Sequence, residues 1–339
     1  MNFIDQILKY NSVSVVGMAK NTGKTETLNY ILTTLQNYNK CVAVTSIGLD
    51  GEKTDQIFGT KKPEITIFEG MIFVTVEKFF ESKNFDAKIL KIYDEQSVLG
   101  RIVVAKALTT GKIILSGAAD THTLKKIIAG NAQFGTDLTL VDGATSRLSL
   151  ASPAVTDAMI LATGAALSPD IETITKRTEF VVSLVGLPLA AHDLQAVLEN
   201  PKQGLFCIDN NLQLIDLQIE SALVFDNILN ENIFNIIKQN KILYVSGALN
   251  DKMLNFIILN KFADGFIFIV SDFTKLFISQ RMYNILTKKG GKISVLNRTN
   301  LLAIAVNPTS PQGYMVSSEK LQSALRRQID VPVYNVREM

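Results

Sequence analysis

The chain has 339 residues, 47% of them hydrophobic and 19% charged, which is enough apolar material for large cores and a length that suggests about two domains. Lys and Arg total 34 against 32 Asp and Glu, a near-balance that argues against a nucleic-acid binder with its basic stripe and against a disordered chain. Two cysteines, Cys41 and Cys207, and two histidines, His122 and His192, support neither a disulfide framework, a structural zinc site nor Ser-His-Asp chemistry. Met1 to Tyr10 lacks the form of a signal peptide. The longest apolar run, Phe180 to Ala191, contains Ser183, Gly186 and Pro188 and falls short of the ~18 residues a membrane span requires. The expectation is a reduced, cytoplasmic α/β protein with neither nucleic acid nor membrane as partner.

Val13 to Val16 reads as a strand. Leu28, Ile31, Leu32 and Leu35 then fall at i, i+3, i+4 and i+7, the spacing of a helix with one buried face. Cys41 to Ile47 is the second strand. Glu64 to Phe68 and Met71 to Val74 read as two strands around Glu69-Gly70. Ile113 to Leu115, Leu138 to Val141 and Met159 to Ala162 are continuous apolar runs, as in a parallel sheet covered on both faces. With short crossover helices between them they predict a doubly wound, mainly parallel α/β sheet over residues 1–200, and Gly23-Lys24-Thr25 in the loop after Val16 makes it one of P-loop NTPase type.

A boundary is expected near Asn200-Pro201. Leu205 to Ile208 and Leu212 to Leu217 flank Asp209-Asn210-Asn211 as a hairpin, and strands follow at Ala222 to Phe225, Leu243 to Val245, Phe266 to Val270, Ile293 to Leu296, Leu302 to Val306 and Val331 to Tyr334. A last helix covers Leu321 to Leu325. Residues 201–339 are thus expected to form a second, smaller α/β domain, a candidate client or partner surface. Ser116-Gly117-Ala118, Leu124, Ile127-Ile128, Gly135 and Asp142 recur, 130 residues on, as Ser246-Gly247-Ala248, Leu254, Ile257-Ile258, Gly265 and Asp272. Either a unit was duplicated, or two strand-turn-helix units converged on the same residue types.

The chemistry concentrates after the first strand, in Gly17-Met18-Ala19-Lys20-Asn21-Thr22-Gly23-Lys24-Thr25-Glu26. Backbone N–H groups from Asn21 to Thr25 can form a concave nest around a β-phosphate at the positive end of a helix. Gly23 allows close approach, Lys24 can reach the β- and γ-phosphates, and the Thr25 hydroxyl can bind Mg²⁺. Glu26 completes the set of candidate nucleotide-binding residues. Gly17 and Gly23 enclose five residues where the motif has four, so Met18 stands at the first motif glycine, as in the similar loop of dethiobiotin synthetase. Lys20 is one residue away from the second lysine of MinD-like loops.

Such a loop needs an acid on a neighbouring strand tip, and Asp142, ending Leu138-Thr139-Leu140-Val141, is the candidate for Mg²⁺ and for orienting water. Asp50 and Glu69 are further candidates, or else solvated turn acids; all three are expected at the carboxyl ends of strands. Arg147, in Asp142-Gly143-Ala144-Thr145-Ser146-Arg147, can meet a phosphate or a partner's carboxylate. Ser116 to Ala118 either leaves room for a ligand or makes a turn, with Asp120 or Thr121 capping a helix. Asp120-Thr121-His122 resembles the start of the Asp-x-His-x-x-Gly cobalt-ligating box. Lys125 stands at the glycine of that box, so an exposed helix histidine is expected at His122.

The blocks Val15 to Glu26, Thr45 to Glu52, Glu69 to Thr75 and Val141 to Pro153 resemble those of the P-loop reactivase subunit of the lysine 5,6-aminomutase system. The resemblance is clearest over about the first 185 residues. It implies ATP- and Mg²⁺-dependent reactivation of an adenosylcobalamin-dependent aminomutase by release of damaged cofactor, alongside a second ATPase subunit resembling MutS. Two other readings stand beside it: an ATP-dependent ligase or kinase of the dethiobiotin-synthetase kind, and a nucleotide-bound scaffold subunit.

Overall fold

Apolar strands alternate with amphipathic helices along the chain, which a computed structural model describes at residues 3–46, 64–97, 99–118, 120–143, 152, 155–199, 203–225 and 230–339. The first elements are α1 (Phe3–Ile7), β1 (Ser12–Gly17), α2 (Lys24–Leu35), β2 (Val42–Ser46), β3 (Ile65–Ile67), β4 (Ile72–Val76) and α3 (Glu77–Glu81). Then come β5 (Ala87–Ser97), β6 (Gly100–Ala107), β7 (Gly111–Ile113), α4 (Thr121–Asn131), β8 (Leu138–Asp142), β9 (Ala158–Gly164) and α5 (Ile171–Val185). They are followed by α6 (His192–Val197), β10 (Leu205–Ile208), β11 (Leu214–Asp216), α7 (Glu231–Gln239), β12 (Ile242–Val245), β13 (Leu249–Asn250) and α8 (Asp251–Leu259). The last are β14 (Ile267–Val270), β15 (Leu276–Phe277), α9 (Gln280–Lys288), β16 (Lys292–Val295), β17 (Asn300–Asn307), α10 (Ser318–Gln328) and β18 (Val333–Tyr334).

Two compact units result: Met1–Glu179 with Asn300–Met339, and Phe180–Thr299. The first unit holds a nine-stranded sheet in the order β18-β17-β9-β1-β8-β2-β4-β6-β5. Neighbours from β18 to β4 run parallel, and β6 and β5 add an antiparallel edge. Successive side chains of a strand face opposite sides, so each strand feeds two cores. Val13, Val15, Val44, Phe73 and Leu140 join Phe3, Ile7, Leu28, Ile31, Leu32 and Leu35 on one face. Ala43, Ile72, Val74 and Val141 meet Leu124 and Ile127 of α4 on the other. Each fully buried Leu or Ile of α2 contributes roughly 1.5–3 kcal/mol, and it is this face that holds the phosphate loop's helix to the sheet.

Several expectations are corrected here. The strand expected at Leu302 to Val306 in the second domain is β17, which pairs with β9, so residues 300–339 return to the first unit. The units therefore divide at Glu179/Phe180 and Thr299/Asn300, and not near Asn200-Pro201, a pair outside the described residues. Ile113 ends β7, which pairs antiparallel with β3 in a separate two-stranded sheet, so that run is not part of the parallel sheet. The hairpin of β5 and β6 had no counterpart in the sequence reading.

The second unit holds a five-stranded sheet, β11-β10-β12-β14-β16, in which β12, β14 and β16 are parallel and β10 with β11 forms the expected hairpin. Ala222–Val224 is a short 3-10 turn and not a strand. The recurrent segments differ in their surroundings. The second runs from β12 through α8 to β14, its parallel neighbour, whereas β8 lies between β1 and β2. Different sheet neighbours weigh against duplication and favour convergence of residue types. Among the described residues no helix is long and apolar enough to cross a membrane.

Candidate nucleotide site

β1 lies inside the nine-stranded sheet, between β8 and β9, and delivers its carboxyl end into the loop Met18 to Gly23. Gly17 is the last residue of β1, paired with Ala162. A Cβ at Gly17 would stand 2.7 Å from Thr22 Oγ1, so only glycine lets the loop fold back over the strand end. Met18 N donates to Ala162 O at 3.0 Å, and the buried Thr22 hydroxyl donates to Ala19 O at 2.9 Å. These bonds take up the extra residue between the two glycines as a closed turn.

Asn21 (φ 61°) and Gly23 (φ 92°) both lie in the left-handed region, on either side of Thr22. That alternation turns successive N–H groups toward one side, the backbone form of an anion nest. Gly23 occupies the capping position of α2 and brings no side chain to it. The first N–H groups of α2 therefore receive no side-chain cap from Gly23, at the positive end of a 12-residue helix. Lys24 and Thr25 are the first two residues of that helix.

Asp142 closes β8, in register with Val15 of β1 and Ser46 of β2. Gly143 N donates to Val15 O at 3.0 Å and fixes the turn beyond it. Lys24 Nζ lies 2.9 Å from Asp142 Oδ1, with the two side chains 17% and 9% exposed, and it also donates to Gly143 O. Asp142 Oδ1 is buried and takes no hydrogen bond, so beyond its ion pair with Lys24 it is an acceptor still to be satisfied. The described residues contain no group of three or more His, Cys, Asp or Glu able to hold a metal.

The other candidates part company. Asn21, Thr22, Gly23, Lys24 and Thr25 make up the loop and helix start. The Glu26 carboxylate is directed to Arg337, 2.8 Å from its guanidinium. Asp50 and Arg147 lie outside the described residues. Glu69 is exposed in the turn before β4, at the amino end of that strand. Since Ile72 pairs with Ala43 while Ser46 pairs with Asp142, Glu69 and Asp142 face opposite ends of the sheet, more than ~10 Å apart. The expectation that all three acids share the carboxyl end therefore fails for Glu69. At Gly117 a Cβ would stand 2.1 Å from Ser46 O, so glycine lets this segment approach the tip of β2. Asp120 caps α4 by accepting from Thr123 N and Oγ1, both at 2.8 Å, and these bonds hold its carboxyl below the usual range. His122 is exposed on the first turn of α4, as expected.

One residue escaped the sequence reading. Asn307, at the tip of β17, donates from Nδ2 to Asn21 O at 3.0 Å, and a Cβ on Gly23 would stand 2.8 Å from Asn307 Cβ. The Asn-Pro pair ending a buried strand was its only local signal.

No family model matches the chain, and no curated protein matches it significantly. Among solved structures, "Structure of pNOB8 ParA bound to nonspecific DNA" matches at 12% identity with a TM-score of 0.27. The match covers 52% of this chain and 62% of that one, so the chain spans under two thirds of its length. A likeness at that TM-score carries no weight for function. By its own geometry the first unit is a mixed α/β fold of P-loop-like form, with a large, mostly parallel sheet and a glycine-containing loop between the interior strand β1 and α2.

Proposed function

We propose that this chain is an ATP- and Mg²⁺-dependent P-loop ATPase. The observation that carries the reading is the meeting of Lys24 with Asp142, 2.9 Å apart, beside a helix N-terminus that has glycine and no side chain at its cap. A triphosphate binds through the N–H groups of the nest and the first turn of α2, and Lys24 turns from Asp142 toward the β- and γ-phosphates. The freed carboxylate of Asp142 then orients water or the metal's water shell, with the Thr25 hydroxyl as second oxygen. Mg²⁺, when bound, neutralises charge that builds on the phosphoryl oxygens.

The finer reading is that hydrolysis drives reactivation of an adenosylcobalamin-dependent aminomutase by expelling damaged cofactor, with a MutS-like ATPase subunit as second partner. Its support is the resemblance of the four sequence blocks. Binding biases a client only through differential affinity for its two states. The test is phosphate release by the full chain with Mg·ATP, alone and with an inactivated aminomutase. Slow basal release, stimulated by the client and abolished in Lys24→Ala, is the expected result. Restoration of the aminomutase by Lys24→Ala as well as by the wild type defeats the finer reading, and phosphoryl transfer to a metabolite in place of water defeats the ATPase reading.

A further inference from the structure

We propose that Asn307 is a positioning residue for the phosphate loop, fixing the peptide between Asn21 and Thr22; the functional weight of this rests on the nucleotide-binding reading above. Both polar atoms of its side chain bond to backbone: Nδ2 donates to Asn21 O at 3.0 Å, and Oδ1 accepts from Thr309 N at 3.1 Å. Its own main-chain oxygen accepts from Ala165 N at 2.9 Å. At Gly164, the last residue of β9, a Cβ would stand 2.0 Å from Asn307 O, so glycine is what lets these two strand tips touch. Asn307 is thereby anchored to β9 while its amide reaches across to the loop.

That reach matters because of the conformation it meets. Asn21 holds φ 61°, a left-handed conformation that asparagine adopts more readily than other non-glycine residues, and the bond from Asn307 fixes the orientation of the peptide that follows it. A trans peptide is planar, with C=O and N–H pointing opposite ways. Drawing Asn21 O toward Asn307 therefore aims Thr22 N–H away from Asn307, and a flip of that plane would put a carbonyl where the nest needs a donor. The partner lies 286 residues along the chain, in the segment that returns to the first unit after residues 180–299. The phosphate loop is thus completed by a residue that no N-terminal sequence motif contains.

The test is hydrogen exchange of the full chain, read over the amides of Thr22 to Thr25, for wild type, Asn307→Ala and Asn307→Asp. The aspartate keeps the bond from Thr309 N but cannot donate to Asn21 O. Both variants are expected to speed loop exchange about 3- to 10-fold, the worth of one hydrogen bond, with β1, β9 and β17 still protected. A fluorescent ATP analogue with Mg²⁺ should bind Asn307→Ala more weakly by a similar factor, and the KM for ATP should rise with kcat little changed. Unchanged loop exchange in both variants, or a change in Asn307→Ala alone, overturns the proposal. Failure of the wild type to bind the analogue sinks the nucleotide reading instead, while the exchange data still decide whether Asn307 holds the loop.

Discussion

Replacing Lys24 by methionine removes the charge opposite Asp142 and keeps most of the side chain's volume. At 2.9 Å the pair attracts by about 6 kcal/mol at an effective dielectric near 20, and desolvation of both groups offsets most of that. What remains after the substitution is a carboxylate whose side chain is 9% exposed and whose Oδ1 has no hydrogen bond. Stranding a buried charge costs about 3–5 kcal/mol, and the partial exposure of this pair brings the expected destabilisation down to about 2 kcal/mol. The double variant Lys24→Met/Asp142→Asn should recover about 1–2 kcal/mol of it as coupling energy. Because two units need not unfold in one step, the readout is native-state hydrogen exchange of α2 and β8. Mg·ATP at a hundred times its Kd should add about 2.7 kcal/mol to the wild type and nothing to Lys24→Met. A single variant as stable as wild type, with no coupling in the cycle, would refute the idea that Lys24 holds Asp142 in readiness.

Gly23→Ala places a Cβ at φ 92° and 2.8 Å from Asn307 Cβ; a cost of about 1–2 kcal/mol from the backbone alone and a loss of ATP affinity are expected, checked by denaturant titration and calorimetry. Asp120→Ala should destabilise α4 by about 1 kcal/mol at pH 7. The folded-state carboxyl is held low by its bonds to Thr123, so its contribution is present above the unfolded value near ~4 and fades as the pH falls through the lower folded value. Wild type and variant should therefore converge in acid unfolding curves, and a gap that widens there contradicts the cap. Burial pushes the Cys207 thiol up to about 12. Alkylation at pH 8 followed by mass spectrometry should modify the half-buried Cys41 first, and equal labelling of Cys207 would show that β10 opens readily.

The parts of the site that were legible in the sequence are local. A continuous apolar strand, a loop ending in Gly23 and a helix with Leu28, Ile31, Leu32 and Leu35 on one face carry their signals within 25 residues, and all three stand as read. Asp142 was legible because a buried run ends in it. Glu69 carried the same local signal, an acid beside a glycine, but whether a turn sits at the amino or carboxyl end of a strand depends on pairing, which no short window contains. The return of Asn300–Asn307 to the first sheet was hidden for the same reason: a buried parallel strand looks alike in either sheet. The β5–β6 hairpin lacks strict alternation, since Ile89-Leu90 and Val103-Val104 place apolar residues side by side. Asn307 was missed because its role exists only through the contact with Asn21.

The most direct test of the central claim is calorimetric titration of the full chain with Mg·ATP, beside Lys24→Ala. Saturable binding at one site in the wild type, dependent on Mg²⁺ and lost in the variant, is the predicted result. Absence of binding to the wild type at millimolar nucleotide, or equal binding by both proteins, would contradict it.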